Sequence, residues 1–178
     1  MIFPIFRKRP GTIEALYGSI VAQARLPVFY REYGVPDTPD GRFDLLVLHL
    51  GIVLRRMGQG GGAETGQELF DRFCLDMDQN LREMGVSDLK VPKQMRAVGE
   101  AFYGRMQAYE KAFAAQDDAL LTEGIARNVY GGGNANAAER LASYIRKAMS
   151  DLEKADRAAL LRGEPGFPDP RSMAATTA

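Results

Sequence analysis

The chain has 178 residues, 46% of them hydrophobic and 26% charged, a composition typical of a globular domain with a buried core. Its 23 Lys and Arg residues equal its 23 Asp and Glu residues, which argues against direct nucleic-acid binding, because such domains are normally basic. A single cysteine and a single histidine exclude an internal disulfide framework and a Cys/His zinc cluster.

Residues 1–11 are interpreted as an N-terminal arm. Their apolar run MIFPIF precedes a basic triplet, the reverse of the order in a secretory signal. One interpretation is a loosely packed arm. The other is a weak contact with a membrane surface, in which apolar side chains enter the lipid and cations lie near acidic headgroups. The residues of that contact would be Phe3, Phe6, Arg7, Lys8 and Arg9.

The apolar periodicity predicts a first helix from Thr12, acting as N-cap, to about Pro27. After a turn-rich segment, a second helix runs from about Asp40 to Met57 and is apolar on nearly every side. That pattern is typical of a helix at the centre of a bundle. Its apolar run is much shorter than the ~20 residues of a membrane span, so no transmembrane segment is expected.

Four further helices follow. The first covers about 64–84 and is ended by Gly85, and the second runs from Pro92 to about Phe113. The third covers about 118–129, and the fourth covers about 136–161 and is ended by Gly163. Residues 163–178 are rich in proline and then in small residues, and are predicted to be a flexible tail. The predicted fold is therefore all-α: a single-domain bundle of about six helices, residues 12–162, around the central apolar helix.

Patterns for metal, nucleotide and catalytic sites are incomplete. The segment 76–80 mimics the start of a calcium loop, but the required glycine and closing glutamate are missing. The spacing of Gly61 and Gly66 resembles a phosphate loop, but Gln67 stands in place of the lysine. His49 lies among leucines and is interpreted as a core histidine. We therefore expect no metal, no cofactor and no enzyme activity.

The most distinctive block, residues 70–95, carries charges of both signs beside an apolar stripe. Such faces can be solvated surfaces held by pairs at i, i+4. The combination of Tyr and Arg on the following segments instead favours a protein-binding surface.

Four segments, in this order and spacing, resemble the ubiquinol–cytochrome c chaperone family, the Cbp3-type assembly factors of the cytochrome bc1 complex. They are DTPDGRFDLLVLHL (37–50), FDRFCLDMDQNLREMGVSDLKVPKQM (70–95), AFYGR (101–105) and RNVYG (127–131). The likeness runs from about Ile13 to Leu161. The short chain, without a transit peptide or leading membrane segment, resembles the bacterial branch. Gly51 departs from the larger apolar residue expected there, and would loosen packing or admit another helix or a client.

The resemblance implies a non-enzymatic, all-helical chaperone that binds newly made cytochrome b and supports assembly of the cytochrome bc1 complex. Its mitochondrial relatives work with a small partner protein and associate with the ribosome, so both are candidate partners here. The implied location is cytoplasmic, or peripheral at the inner membrane.

A holder for a hydrophobic client needs an apolar groove with polar edges, and we predict that the third and fourth helices form it. The predicted polar rim is Asp76, Arg82, Lys93, Arg96 and Arg105, and the predicted apolar contacts are Phe102 and Tyr103. Three alternatives stand beside this hypothesis. They are a membrane-surface adaptor acting through residues 1–9, a protein-binding module without a chaperone role, and a hydrolase or isomerase that pairs His49 with Asp44.

Overall fold

The computed structural model describes residues 11–59 and 61–174, and within these ranges the chain forms nine α-helices and no strand. The helices are α1 Thr12–Ala24, α2 Pro27–Arg31, α3 Pro39–Gly58, α4 Ala63–Glu83, α5 Val91–Ala115, α6 Asp118–Val129, α7 Ala135–Lys154, α8 Arg157–Leu161 and α9 Arg171–Ala174. The all-α prediction is confirmed, and the six longest helices correspond to the six predicted ones. The proposed membrane contact at Phe3, Phe6, Arg7, Lys8 and Arg9 lies outside the described residues.

Helix α3 is the centre of the bundle, as its apolar sequence predicts. It packs against α1, α4, α5, α6 and α7, and an unbroken run from Asp44 to Val53 is buried. Thr38 begins the helix, because its Oγ1 accepts a hydrogen bond from the amide of Gly41 at 3.1 Å. No helix in the described part of the chain combines the length and hydropathy of a membrane span.

Helices α4 and α5 form a hairpin whose turn is closed by Gly85, as predicted. Gly85 has φ +84°, and its amide donates to the carbonyl of Arg82 at 2.9 Å while that of Val86 donates to Leu81 at 3.0 Å. These two bonds satisfy the last carbonyls of α4 in the pattern of a Schellman motif. The carbonyl of Ser87 then accepts the amides of Lys90 and Val91, so the turn is ordered on both sides.

Two predicted helix boundaries are corrected. Thr12 is the first helical residue, and Gly11, with φ +106°, takes the N-cap position. The last long helix is divided at Ala155, which is extended, and Asp156, whose side chain accepts a hydrogen bond from the Ala158 amide at 3.3 Å. The break redirects the chain so that Leu160 of α8 is buried where α8 meets α1.

Residues 163–173, here called the C-terminal strap, were expected to be flexible and instead pack on the helices. Pro165 and Pro170 are buried. Three side chains donate to strap carbonyls: Ser19 to Gly163 at 2.5 Å, Gln23 to Pro168 at 3.2 Å and Tyr33 to Pro170 at 2.8 Å. Proline favours this arrangement, because its fixed φ reduces the entropy lost on ordering while its carbonyl remains an acceptor.

Gly51 of α3 lets a neighbouring helix approach, one of the two outcomes expected for it. A Cβ at this position would lie 2.5 Å from Sδ of Met106, which projects from α5. The space is therefore filled by α5 rather than left open.

Candidate functional site

A groove with a cavity volume of about 780 Å³ lies between the end of α1, the start of α3, the end of α4 and the first half of α5. We call it the four-helix groove. Its apolar lining consists of Val21, Ala24, Pro39, Phe43, Leu46, Met77, Leu81, Met84, Ala97, Val98 and Ala101. Its polar lining consists of Arg25, Asp37, Thr38, Asp40, Arg42, Asn80, Glu83, Gln94 and Arg105.

The groove follows from helical spacing on the α4–α5 hairpin. Met77, Leu81 and Met84 share one face of α4, because they are separated by four and three residues. Val98 and Ala101 share the facing stripe of α5 in the same way. Alanine has no side chain beyond Cβ, so the small residues on α5 and α1 leave the space open.

An aromatic cluster keeps the hairpin and α3 together beneath the groove. The Phe73 ring lies 6.3 Å from that of Phe43 on α3 and 5.4 Å from that of Phe102 on α5, measured between centroids. Phe73 and Phe102 are buried. The groove is consequently built on a packed layer rather than on a loose gap between helices.

Arg105 joins the groove lining to a buried carboxylate of α3. Its Nε donates to Oδ1 of Asp44 at 2.5 Å, and its Nη1 donates to the carbonyl of Ala101 at 3.1 Å. Asp44 is only 3% exposed, and its burial raises the pKa of its carboxyl while the hydrogen bond from Arg105 opposes that rise. The guanidinium also lies 5.1 Å from the ring centroid of Phe43. Arg105 is therefore held rigidly at the groove edge.

Asp76, another residue of the predicted polar rim, connects α4 to α1. It accepts a hydrogen bond from the Tyr17 hydroxyl at 2.9 Å and lies 4.0 Å from the guanidinium of Arg72. Burial, and then the bond to Asp76, raise the pKa of Tyr17. Asp76 thus supports the wall formed by α1 and does not line the groove.

Four predicted contact residues lie outside the groove lining: Arg82, Lys93, Arg96 and Tyr103. Arg82 binds Asp78 at 2.6 Å and also contacts Asp88. Tyr103 is 62% exposed, and its ring lies 5.9 Å from that of Phe70 on the outer side of the hairpin. All four of these residues are exposed.

Phe102 is corrected from a surface contact to a core residue. It is 3% exposed and packs against Phe70 and Phe73. Successive residues of a helix are rotated by about 100°, so Phe102 and Tyr103 face different directions. Val98 on the same helix, which was not among the predicted contact residues, lines the groove instead.

His49 lies in the core, as interpreted from its apolar neighbours, and is fully buried. Its Nδ1 donates to the carbonyl of Leu45 at 2.7 Å, since that oxygen can only accept, and its Nε2 accepts from the Tyr144 hydroxyl at 3.0 Å. Asp44 lies five positions earlier, about 140° around the helix, and binds Arg105 instead. The geometry does not support a dyad of His49 and Asp44, and no metal-binding cluster occurs among the described residues.

The burial of His49 predicts a loss of stability in mild acid. Burial lowers its pKa from 6.5 to about 4, so between these values the unfolded chain binds a proton that the folded chain does not. The free energy of unfolding should fall by about 3 kcal/mol over this interval, added to any contribution from carboxylates. Urea unfolding of the unchanged chain and of His49→Gln at several pH values isolates the contribution of His49. An identical pH dependence for the variant between pH 6.5 and 4 would contradict it.

Comparison with known proteins supplies the context for this groove. The family model described as ubiquinol-cytochrome C chaperone matches residues 31–167. The ubiquinol-cytochrome-c reductase complex assembly factor 1 of Xenopus laevis is 26% identical over 150 residues, which cover 82% of this chain and 74% of that protein. The Drosophila melanogaster protein of the same name is 26% identical, and the match covers 82% of this chain and 60% of that protein.

A solved structure is also similar. The crystal structure of the Cbp3 homolog from Brucella abortus aligns with a TM-score of 0.81 and 34% sequence identity, covering 90% of this chain and 91% of that one. The region matched by the family model includes α3, α4 and α5, which supply three walls of the four-helix groove. Helix α1, the fourth wall, precedes that region.

Proposed function

We propose, since this chain belongs to the ubiquinol-cytochrome c chaperone family, that it holds newly made cytochrome b during assembly of the cytochrome bc1 complex and does so in the four-helix groove. The observation that carries the proposal is the groove itself, in which eleven apolar residues from four helices are combined with nine polar ones. Catalysis is not part of the proposal.

The dimensions of the groove favour one face of a helix as its occupant. About 780 Å³ accommodates several apolar side chains but not a whole membrane-spanning helix. In helix-in-groove recognition, side chains at i, i+3, i+4 and i+7 enter the groove while the rest of the helix remains outside. A transmembrane segment of cytochrome b offers such apolar stripes.

The charges around the groove are balanced in sign. The lining has three cations, Arg25, Arg42 and Arg105, and three carboxylates, Asp37, Asp40 and Glu83. Arg42 pairs with Asp37 at 2.7 Å. A balanced rim provides little selection for a charged ligand, whereas it keeps an empty apolar groove hydrated at its borders. This distribution suits a hydrophobic client better than a nucleotide or an acidic peptide.

A small partner protein and the ribosome remain proposed partners on the basis of family resemblance. Arg82, Arg96 and Tyr103 are available to them because these residues are exposed and lie outside the groove. A location in the cytoplasm or at the periphery of the inner membrane also remains a proposal.

Site-specific photocrosslinking tests the assignment of the groove. A photoreactive phenylalanine analogue placed at Met77 or Val98, both half-buried groove residues, should crosslink to cytochrome b in the source organism. The matched controls are Leu75 and Tyr103, which lie on the same two helices and are 52% and 62% exposed outside the groove. Immunoblotting identifies the product. Crosslinks to cytochrome b from the controls alone would reject the groove as the client site.

A further inference from the structure

The turn of the α4–α5 hairpin carries the most exposed large apolar side chain of the described residues. Leu89 is 94% exposed, and Met84, at the other end of the same turn, is 68% exposed. Single exposed leucines are common, but two large apolar side chains on one short turn form a projecting apolar point. We call residues 84–96 the hairpin tip.

The hairpin tip also carries three positive charges without acidic partners. Lys90, Lys93 and Arg96 are exposed and form no ion pair with any residue that the structure describes. Over residues 82–96 four cations stand against two carboxylates, and one of these, Asp88, is already bound by Arg82. The tip is therefore locally cationic in a chain of zero net charge.

We propose that the hairpin tip docks on an anionic lipid surface, with Leu89 and Met84 in the interface and Lys90, Lys93 and Arg96 among the headgroups. Charge complementarity favours this occupant, because acidic headgroups attract exposed Lys and Arg. The apolar point suits lipid, which adapts to a projecting side chain of any shape. The proposal stands independently of the client assigned to the groove.

The order of the residues along the hairpin fits the depth of a lipid interface. Helix α5 begins at Val91 and rises about 1.5 Å per residue. Arg96 therefore lies roughly 7.5 Å from the start of the helix, measured along its axis and away from the turn. Interfacial elements insert their apolar side chains by about 5–10 Å. With α5 upright on the membrane, Leu89 reaches the acyl boundary while Lys93 and Arg96 remain at the level of the phosphates.

The placement of the tip also has a consequence for the groove. Met84 belongs both to the tip and to the groove lining, so the groove opens beside the proposed membrane contact. A docked hairpin would present the groove next to the lipid surface from which a hydrophobic segment emerges.

Tryptophan fluorescence tests insertion, because the chain has no tryptophan of its own. In the full chain, Leu89→Trp should shift its emission to the blue with vesicles of phosphatidylcholine and phosphatidylglycerol, and much less with phosphatidylcholine alone. The matched control is Leu120→Trp, which is also at an exposed leucine but on α6. Its emission should stay unchanged. No shift at position 89 with anionic vesicles, or equal shifts at both positions, would overturn the proposal.

Cosedimentation with the same anionic vesicles tests the charges. Changing Lys90, Lys93 and Arg96 together to Gln should reduce the partition coefficient about 100-fold, on the basis of their attraction to acidic lipid. Changing Arg127, Lys147 and Arg162 to Gln removes the same charge from exposed positions elsewhere in the fold and should have little effect. Equal losses of vesicle binding for both triple variants would show that only the net charge of the chain matters and would overturn the proposal. Loss of vesicle binding only when residues 1–9 are deleted would assign lipid binding to the arm instead. Capture of the tip by cytochrome b without binding to vesicles would likewise overturn it.

Discussion

Replacing Arg105 by leucine should lower the free energy of unfolding by about 3–5 kcal/mol, because the change strands the buried carboxylate of Asp44. Asp44 is 3% exposed, and the Nε of Arg105 donates to it at 2.5 Å. Urea unfolding at neutral pH measures the effect. The deficit should shrink in acid, since burial raises the pKa of Asp44 and a protonated carboxyl is less costly to bury once its cation is gone.

A double variant distinguishes the buried charge from the loss of packing. Asp44→Leu combined with Arg105→Leu removes both charges of the pair and should recover much of the lost stability. The matched surface control is Arg42→Leu, which breaks an exposed pair with Asp37 and should change stability by less than about 1 kcal/mol. A double variant as unstable as Arg105→Leu would show that packing of the arginine, including its contact with Phe43, dominates.

Ending the chain after Arg162 should destabilise the fold by at least about 3 kcal/mol, since the strap completes the core near His49. The ring of Phe167 lies 5.4 Å from that of His49, centroid to centroid, in an edge-to-face arrangement. Truncation removes this aromatic packing and also leaves the buried Tyr33 hydroxyl without its acceptor at Pro170. Thermal unfolding followed by circular dichroism should show a lower melting temperature with helix retained below it.

Two point variants make this prediction decisive even if the truncated chain does not accumulate. Phe167→Ala should reproduce a large part of the loss, because it removes the ring but leaves the backbone bonds of the strap. Glu164→Ala changes an exposed residue of the same segment, whose pair with Arg162 is solvated, and should have little effect. A melting temperature unchanged in Phe167→Ala would show that the strap contributes little to the core.

The long helices were predictable because local signals define them. Periodicity identified the buried faces, and Gly85 and Pro92 marked the end of α4 and the start of α5. The break at Asp156 was missed, because the apolar period continues through it and only the N-cap residue indicates a new helix. The strap was missed because its proline-rich composition resembles that of disordered segments, whereas its order depends on bonds to residues about 140 positions away.

The groove was predictable only in part. Its position on the α4–α5 hairpin and the participation of Arg105 followed from sequence, but the walls supplied by Val21 of α1 and Leu46 of α3 depend on tertiary packing. The same limit explains why Phe102 was predicted as a surface contact although it is buried. Periodicity places it on an apolar stripe, but does not tell whether that part of the stripe meets another helix or lines a groove.

Because the groove is built from four separate helices, a bound segment should stabilise the folded protein and slow its degradation. Any segment that fills it contacts α1, α3, α4 and α5 together, and these contacts are lost when the chain unfolds. By mass action, an occupant at 100 times its dissociation constant adds about 2.7 kcal/mol to the stability of the folded state. Copies without an occupant unfold more often and are degraded sooner, so the cellular amount of this protein should follow the supply of what it holds.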